Sequence, residues 1–388
     1  MSEAVTRQQT RDKLLRAVAE IQPILEATVI EAETLATLPP AAVNALQASG
    51  LMTMKLPTLF GGAEADPVSQ LAVIESVSYW HAAAGWCLMI GATSIALPAA
   101  FLPDEAVAQI LADGRIPLAA STVMPGGTAT AVTGGYQLSG QWYFASGIRH
   151  AEWVVAGAIC ASKEQRPPRR LLVTMPVRAI TIEDNWQVAG LQGTGSCAFS
   201  VSDLFVPDEF VWDVYHDRPR RGGPLYNLPL LGFVTNEHAG FALGVARRAL
   251  AEIKQTAGTN RSQFRHSLAD SASFQRDLGH CDFQFQAARA LVVEVHEKAW
   301  QTVSAGEKVS GALLAEMRGS AVYATEVARE ICTMAFHYGG GAALYMNSPL
   351  QRCLRDIHAA SQHLLMSTRA YENHSQFLLN LPDAQPMG

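Results

Sequence analysis

The apolar periodicity of this chain changes twice, near Ile116 and near Leu230, and the changes divide 388 residues into helical, sheet-like and helical parts. Before the first change, Leu14, Leu15, Val18, Ile21, Ile24 and Leu25 recur mostly three and four residues apart, the spacing of one helix face. Pro39-Pro40 opens a second helix with Val43 and Leu46 on one face and Gly50 as its stop. Phe60-Gly61-Gly62 makes a turn, and Pro67 opens a third helix. From about 116 to 207, short β-rich runs alternate with turn signals. Residues 134–140 read as a hairpin entry and strand, 153–160 as a continuous apolar strand, and 171–175, 180–183 and 197–205 as further strands. From about 230 helices return. Phe241, Val245, Ala249 and Ile253 repeat every fourth residue. Leu278, Cys281, Phe285, Ala288, Val292 and Val295 form a long stripe, and runs at 313–335 and from 350 follow. Four long helices in sequence predict a bundle. The expected organisation is an N-terminal helical domain over 1–115, a central β domain over 116–225 and a C-terminal helical bundle over 226–388.

Charged residues make up only 16% of the chain against 49% apolar, which predicts a surface partly covered by other subunits. The net charge of −6 argues against nucleic-acid or anionic-membrane partners. Residues 85–103 are apolar apart from Thr93 and Ser94, long enough to raise the question of a membrane span. Gly91 and Pro98 interrupt them and no basic flank follows, so a buried helix is expected. The first 13 residues are polar and lack a signal-peptide apolar core. The six cysteines form no Cys-x-x-Cys pair and no cluster with metal spacing. They read as small buried hydrophobes in a reducing, cytoplasmic compartment, with no metal centre.

The chemistry concentrates near the C-terminus. Gly339-Gly340-Gly341 leads through Asn347-Ser348-Pro349 into a helix carrying Arg355-Asp356, with His358 and His363 five residues apart. On one continuous helix, five residues separate two side chains by about 140°. This segment resembles the C-terminal active-site segment of the acyl-CoA dehydrogenase superfamily. It is most similar to the branch that hydroxylates substrates with reduced flavin and oxygen. The resemblance covers nearly the whole chain and implies the fold of that superfamily: mostly α with a central β domain. It places the dehydrogenases' catalytic glutamate nine residues after Arg355. Here that position is Leu364, which has no basic atom, and its neighbour is His363. The departure points away from thioester dehydrogenation.

Carried over residue by residue, His363 matches the catalytic histidine of the steroid-phenol hydroxylases of this branch. A histidine suits a general base because its pKa lies near working pH. His358 has a less committed counterpart near the substrate. The strand Trp142-Tyr143-Phe144-Ala145-Ser146-Gly147 resembles one that lies against the flavin ring, with Trp142 and Phe144 as aromatic faces. Ser146 would donate a hydrogen bond to flavin N5 or to a bound peroxide oxygen. Ser121 and Thr122 stand where the dehydrogenases have a Thr-Glu-Pro loop against the flavin pyrimidine, without the glutamate. Gln192-Gly193-Thr194-Gly195-Ser196 resembles a Gly-Thr-Gly-Ser turn of the branch, read as structural. Arg261, in Arg261-Ser262-Gln263-Phe264, would reach a flavin phosphate across a subunit boundary. Trp86, after small residues and Gly85, would wall the substrate pocket, with His81 as a polar neighbour.

These resemblances imply the oxygenase component of a two-component flavin-dependent monooxygenase. It would hydroxylate a phenolic, indolic or polycyclic aromatic through a flavin C4a-hydroperoxide. The cofactor would be reduced FMN or FAD from a separate NAD(P)H:flavin reductase, since no NAD(P)H-binding domain is readable. The assembly would be a homotetramer. Three alternatives stay open. One is an acyl-CoA dehydrogenase or oxidase with its base elsewhere, Glu372 and His374 being the nearest later candidates. Another is an N-hydroxylating flavin monooxygenase on the same fold. The last is a non-catalytic member that uses the bundle only for assembly.

Overall fold

A computed structural model describes residues 3–160, 168–259 and 267–387. Five helices come first: α1 (Glu3–Leu35), α2 (Pro40–Ala48), α3 (Pro67–Trp80), α4 (Ala82–Phe101) and α5 (Asp104–Ile110). Local signals set their ends. Pro40 occupies the first turn of α2, and the chain leaves that helix through Gly50 at φ 75°. The Asp66 carboxylate accepts from the N–H groups of Val68 and Ser69 and so caps α3. Asp66 also pairs with Arg7 of α1 at 2.8 Å. The apolar stretch at 85–103 belongs to α4. That helix is long and apolar enough to cross a membrane, yet 89% of its most apolar window is buried inside the protein.

The sheet has seven strands: β1 (Ala119–Val132), β2 (Gly135–Trp142), β3 (Trp153–Cys160), β4 (Arg169–Pro176), β5 (Thr181–Ile182), β6 (Phe199–Pro207) and β7 (Val211–Asp213). Their order is β5-β6-β2-β1-β3-β4-β7. Among the described residues only the β1–β3 pair is parallel. β1 runs where the sequence suggested a loop. Its Pro125-Gly126-Gly127 segment pairs with β3 through two register shifts. The strand expected at 180–183 shrinks to the two residues of β5.

The bundle follows: α6 (Leu230–Thr259), α7 (Ala272–Ser304), α8 (Gly311–Gly339), α9 (Pro349–Ala360) and α10 (Arg369–Leu378). α6 lies directly against α3. A Cβ at Gly244 would stand 2.4 Å from the Glu75 carbonyl oxygen, so only glycine permits this approach. At the start of α6 four consecutive polar residues are buried: Thr235, Asn236, Glu237 and His238. Each has a partner from a distant element or its own helix. Thr235 meets His296, Asn236 donates to the Pro67 carbonyl, Glu237 pairs with Lys55, and His238 donates to the Val234 carbonyl. All six cysteines are buried and free.

α9 ends at Ala360, so His363 is not on the helix that carries His358. The chain instead enters a 3-10 turn at 364–366, with His363 at its N-cap. Arg318 on α8 holds that turn. Its Nε donates to the Leu365 carbonyl at 3.1 Å and its Nη1 to Asn373 at 3.0 Å.

Candidate active site

The site centres on Trp86, buried on α4. Its indole N–H donates to Ser146 Oγ at 3.0 Å. Its ring meets Phe241, His238 and His363 edge-on, at centroid separations of 5.0, 5.6 and 5.9 Å. The two histidine rings are 4.5 Å apart. Four distant segments thus contribute to one cluster: α4, the chain after β2, α6 and the turn after α9.

β2 delivers Ser146 through a strained step. Phe144 follows the strand with φ 65°, a region disfavoured for a bulky side chain. The step leaves the Phe144 ring 72% exposed and carries Ser146 into the interior. Tyr143 beside it is half exposed, and the Phe144 edge meets Trp186 at 6.3 Å. Thr122 on β1 donates to the Tyr143 carbonyl at 3.2 Å, and Ser121 is half-buried on the same strand.

Ser146 begins a chain of hydroxyls with one direction. Thr194 Oγ1 lies 2.8 Å from the Leu191 carbonyl oxygen, and only Thr194 can supply the proton between them. Ser196 must then donate to Thr194 at 2.7 Å, and Ser146 to Ser196 at 2.7 Å. The Ser146 proton is therefore committed inward. Toward a ligand Ser146 is an acceptor, not the donor that the sequence suggested. The turn carrying Thr194 and Ser196 is anchored by α9. Asp356 accepts from the Leu191 N–H at 2.6 Å, and Arg355 donates to the Ala189 carbonyl at 2.8 Å. Burial pushes the Asp356 carboxyl up to about 6.

Both histidines are neutral near pH 7. Burial brings His363 down to about 3, with His238 beside it adding to the effect. Burial brings His238 down to about 4, opposed by its bond to the Val234 carbonyl and assisted by the Lys55 charge. Among the described residues no carboxylate joins the cluster. Glu237 accepts from Lys55 at 2.9 Å and Thr93 at 3.1 Å, and Glu372 is exposed.

This arrangement fits a flavin. Two aromatic rings at a strand end, half or more exposed beside a buried polar cluster, suit a planar ring system. The spare lone pair of Ser146 suits an N–H on its edge.

The sequence profile of the acyl-CoA dehydrogenase N-terminal domain matches residues 6–109, and that of the C-terminal domain matches 237–368. Indole-3-acetate monooxygenase of Pseudomonas putida is 31% identical over 332 residues, covering 85% of this chain and 84% of that protein. The chain belongs to the flavin-dependent monooxygenase branch of the acyl-CoA dehydrogenase superfamily. The oxygenase component of the FADH2-dependent resorcinol hydroxylase of a Rhizobium strain is 26% identical, covering 95% of this chain and 94% of its own. The crystal structure of 3-HSA hydroxylase from Rhodococcus sp. RHA1 superposes with a TM-score of 0.88 at 26% identity, covering 97% and 99% of the two chains.

In this monooxygenase-branch protein Trp86, Ser146 and His363 come together, with Phe144 just past the end of β2 and Ser121 and Thr122 on β1. Trp142 does not join them. It turns into the sheet domain's core, where its indole N–H donates to the Gly157 carbonyl at 2.7 Å and its ring stacks on Phe199. The glycines at 126, 127 and 140 leave room for it, so both its faces are occupied. His358 is exposed on the last turn of α9, away from the cluster. His81 caps α4, its Nδ1 accepting from the Ala84 N–H at 3.3 Å. Arg261 lies outside the described residues.

The sequence reading missed His238 and gave Ser196 and Thr194 only a structural part. A signal for His238 existed. It precedes Phe241 by three residues, on the apolar stripe of α6, and a polar residue on such a stripe needs an explanation.

Proposed function

We propose that this chain is the oxygenase component of a two-component monooxygenase that hydroxylates a phenolic, indolic or polycyclic aromatic. The observation that carries the proposal is the Trp86, Ser146 and His363 cluster, buried and, among the described residues, without a carboxylate. Reduced flavin, FMN or FAD, supplies the activation of dioxygen when bound. The chain's residues bind, orient and keep the site dry. Phe144 and Tyr143 would offer their rings to the flavin, and Ser121 and Thr122 would hold its pyrimidine. Ser146 would accept a hydrogen bond from the N5–H that only the reduced flavin carries. Trp86 and Phe241 form an apolar wall against the substrate, and the neutral imidazoles face its polar substituent. Exclusion of water by this wall protects a reactive oxygen species from wasteful decay.

Relatives named for indole-3-acetate and resorcinol support an aromatic substrate, and the resorcinol relative, named as an oxygenase component, supports a separate NAD(P)H:flavin reductase. Dehydrogenation of a thioester is disfavoured because it needs a carboxylate base at the cluster. A homotetramer would cover the apolar residues left exposed on the bundle, Phe283, Leu344 and Tyr345 among them. Buried free thiols suit a reducing cytoplasm. The test supplies reduced flavin through a reductase and follows hydroxylated aromatic product against NAD(P)H consumed. The proposal expects product only when reductase, flavin and this chain are all present. NAD(P)H oxidation by this chain and flavin alone would contradict it.

A further inference from the structure

We infer that His238 is a second substrate-facing residue of the site, and that its Nε2 accepts the O–H or N–H hydrogen of the aromatic substrate while His363 presents a donor. The inference rests on the monooxygenase reading above and assigns the two rings distinct parts.

The assignment follows from what each Nδ1 touches. His238 Nδ1 lies 3.1 Å from the Val234 carbonyl oxygen. A carbonyl only accepts, so Nδ1 carries the proton and a neutral ring has its lone pair on Nε2. His363 Nδ1 lies 3.3 Å from the Leu365 N–H, which only donates. Its lone pair is used there, and its proton sits on Nε2. A base needs a free lone pair, and the ring that has one is His238.

The surroundings agree. His238 Nε2 is buried without a hydrogen-bond partner. Such an atom gains a partner when a ligand brings a donor, and is left desolvated when the ligand has none. The ring stands 4.5 Å from His363 and 5.6 Å from Trp86, whose indole holds Ser146. The helix fixes the orientation, because Val234 is one turn earlier on α6. The adjacent carboxylate is held by Lys55 and Thr93 through Glu237 Oε2, and its Oε1 is buried without a partner.

The predicted substrate class is an aromatic ring with an O–H or N–H conjugated to it, as in phenols and indoles. The step this chain supplies is a proton transfer that readies the ring for the oxygen a bound flavin would provide: the substrate's O–H or N–H bond breaks. Its electron pair stays on the heteroatom and feeds the ring. The proton forms a bond to His238 Nε2, giving an imidazolium whose Nδ1–H remains on Val234.

The test uses the full chain with reduced flavin under anaerobic conditions and two pairs of probes: indole with 1-methylindole, and phenol with anisole. The native protein should bind at least one parent about tenfold or more tighter than its methylated partner. His238→Ala should bring that ratio close to one, whereas His363→Ala should keep most of it. His238→Gln restores an acceptor oxygen but no base. It should keep the ratio while product formation with oxygen falls by about 10²–10⁴-fold, the usual worth of a positioned base. If His238→Ala fails to fold, His238→Gln against native protein decides. Retention of turnover by His238→Gln, or equal binding within both native pairs, overturns the inference. So does loss of discrimination in His363→Ala alone. Reductase-coupled hydroxylation in the native protein separates the readings, since it can persist when the His238 assignment fails.

Discussion

Trp86 and Ser146 are joined by an indole N–H···O bond of 3.0 Å, and this bond feeds a hydroxyl chain whose every proton points away from the ligand side. Ser146 can accept from the N5–H of reduced flavin and has no proton for the bare N5 of oxidised flavin. The protein should therefore prefer reduced flavin. Ser196→Ala removes the acceptor of the Ser146 proton and lets that proton turn outward. A hydrogen bond's net worth of about 1 kcal/mol predicts that the preference shrinks about five- to tenfold. Anaerobic and aerobic flavin titrations of both proteins measure it. An unchanged preference in Ser196→Ala would contradict the direction assigned to the chain.

A second prediction concerns the buried pair behind His238. Lys55 Nζ is enclosed with Glu237 at 2.9 Å, Thr93 at 2.8 Å and the Phe233 carbonyl at 2.8 Å. Burial pulls the ammonium down and pushes the carboxyl up, while their mutual attraction opposes both. Lys55→Met alone should destabilise by about 3–5 kcal/mol, because it leaves a buried carboxylate unpaired. Lys55→Met with Glu237→Leu should recover most of that loss. Chemical denaturation of the single and double variants checks this, and additive losses would contradict it.

Acidification should weaken the fold. His81, His238 and His296 are buried, and burial brings them down to about 3, 4 and 4. In the unfolded chain each takes a proton near 6.5. The unfolded state thus binds more protons below about pH 6.5. Stability from the neutral rings is complete above that value and is lost as pH falls toward 4. Asp356 acts oppositely. Its carboxyl is raised to about 6, so its contribution is complete at low pH and is lost as pH rises through 6. His363, also brought down to about 3, adds to the three, and together these histidines outweigh Asp356 and the raised Glu237, so Tm should fall between pH 7 and pH 5. A higher Tm at pH 5 would contradict this.

The parts legible in the sequence were those with local causes. The strand at 153–160 is a run of apolar residues buried along nearly its whole length, and helices α2 and α3 start at prolines. The illegible parts have distant causes. Ser121 and Thr122 stand where the resemblance implies a loop, yet they lie in β1, and Trp142 from the next strand fills the space over Gly126 and Gly127 of that strand. No Gly or Pro marks the end of α9. The turn that takes His363 off the helix is held by Arg318, 45 residues earlier on α8. The flavin-facing place suggested for Trp142 is not supported, for a related reason. The strand ends at Trp142 and Phe144 adopts a left-handed conformation, so the two rings do not share a face.

Assembly gives a fourth prediction. Phe283, Leu344 and Tyr345 are each more than 70% exposed on this chain. Large exposed apolar groups of this kind mark association surfaces. Light scattering should give about four times the 41.7 kDa chain mass. A monomer at working concentration would contradict the tetramer.

The most direct test of the central claim is the origin of the oxygen in the product. The native chain, supplied with chemically reduced flavin and an aromatic substrate that it binds, should be exposed to ¹⁸O-labelled dioxygen. A monooxygenase places one labelled atom in each hydroxylated product and needs no NAD(P)H in that single turnover. Product without the label, or substrate consumed by desaturation with no oxygen incorporated, would contradict the account.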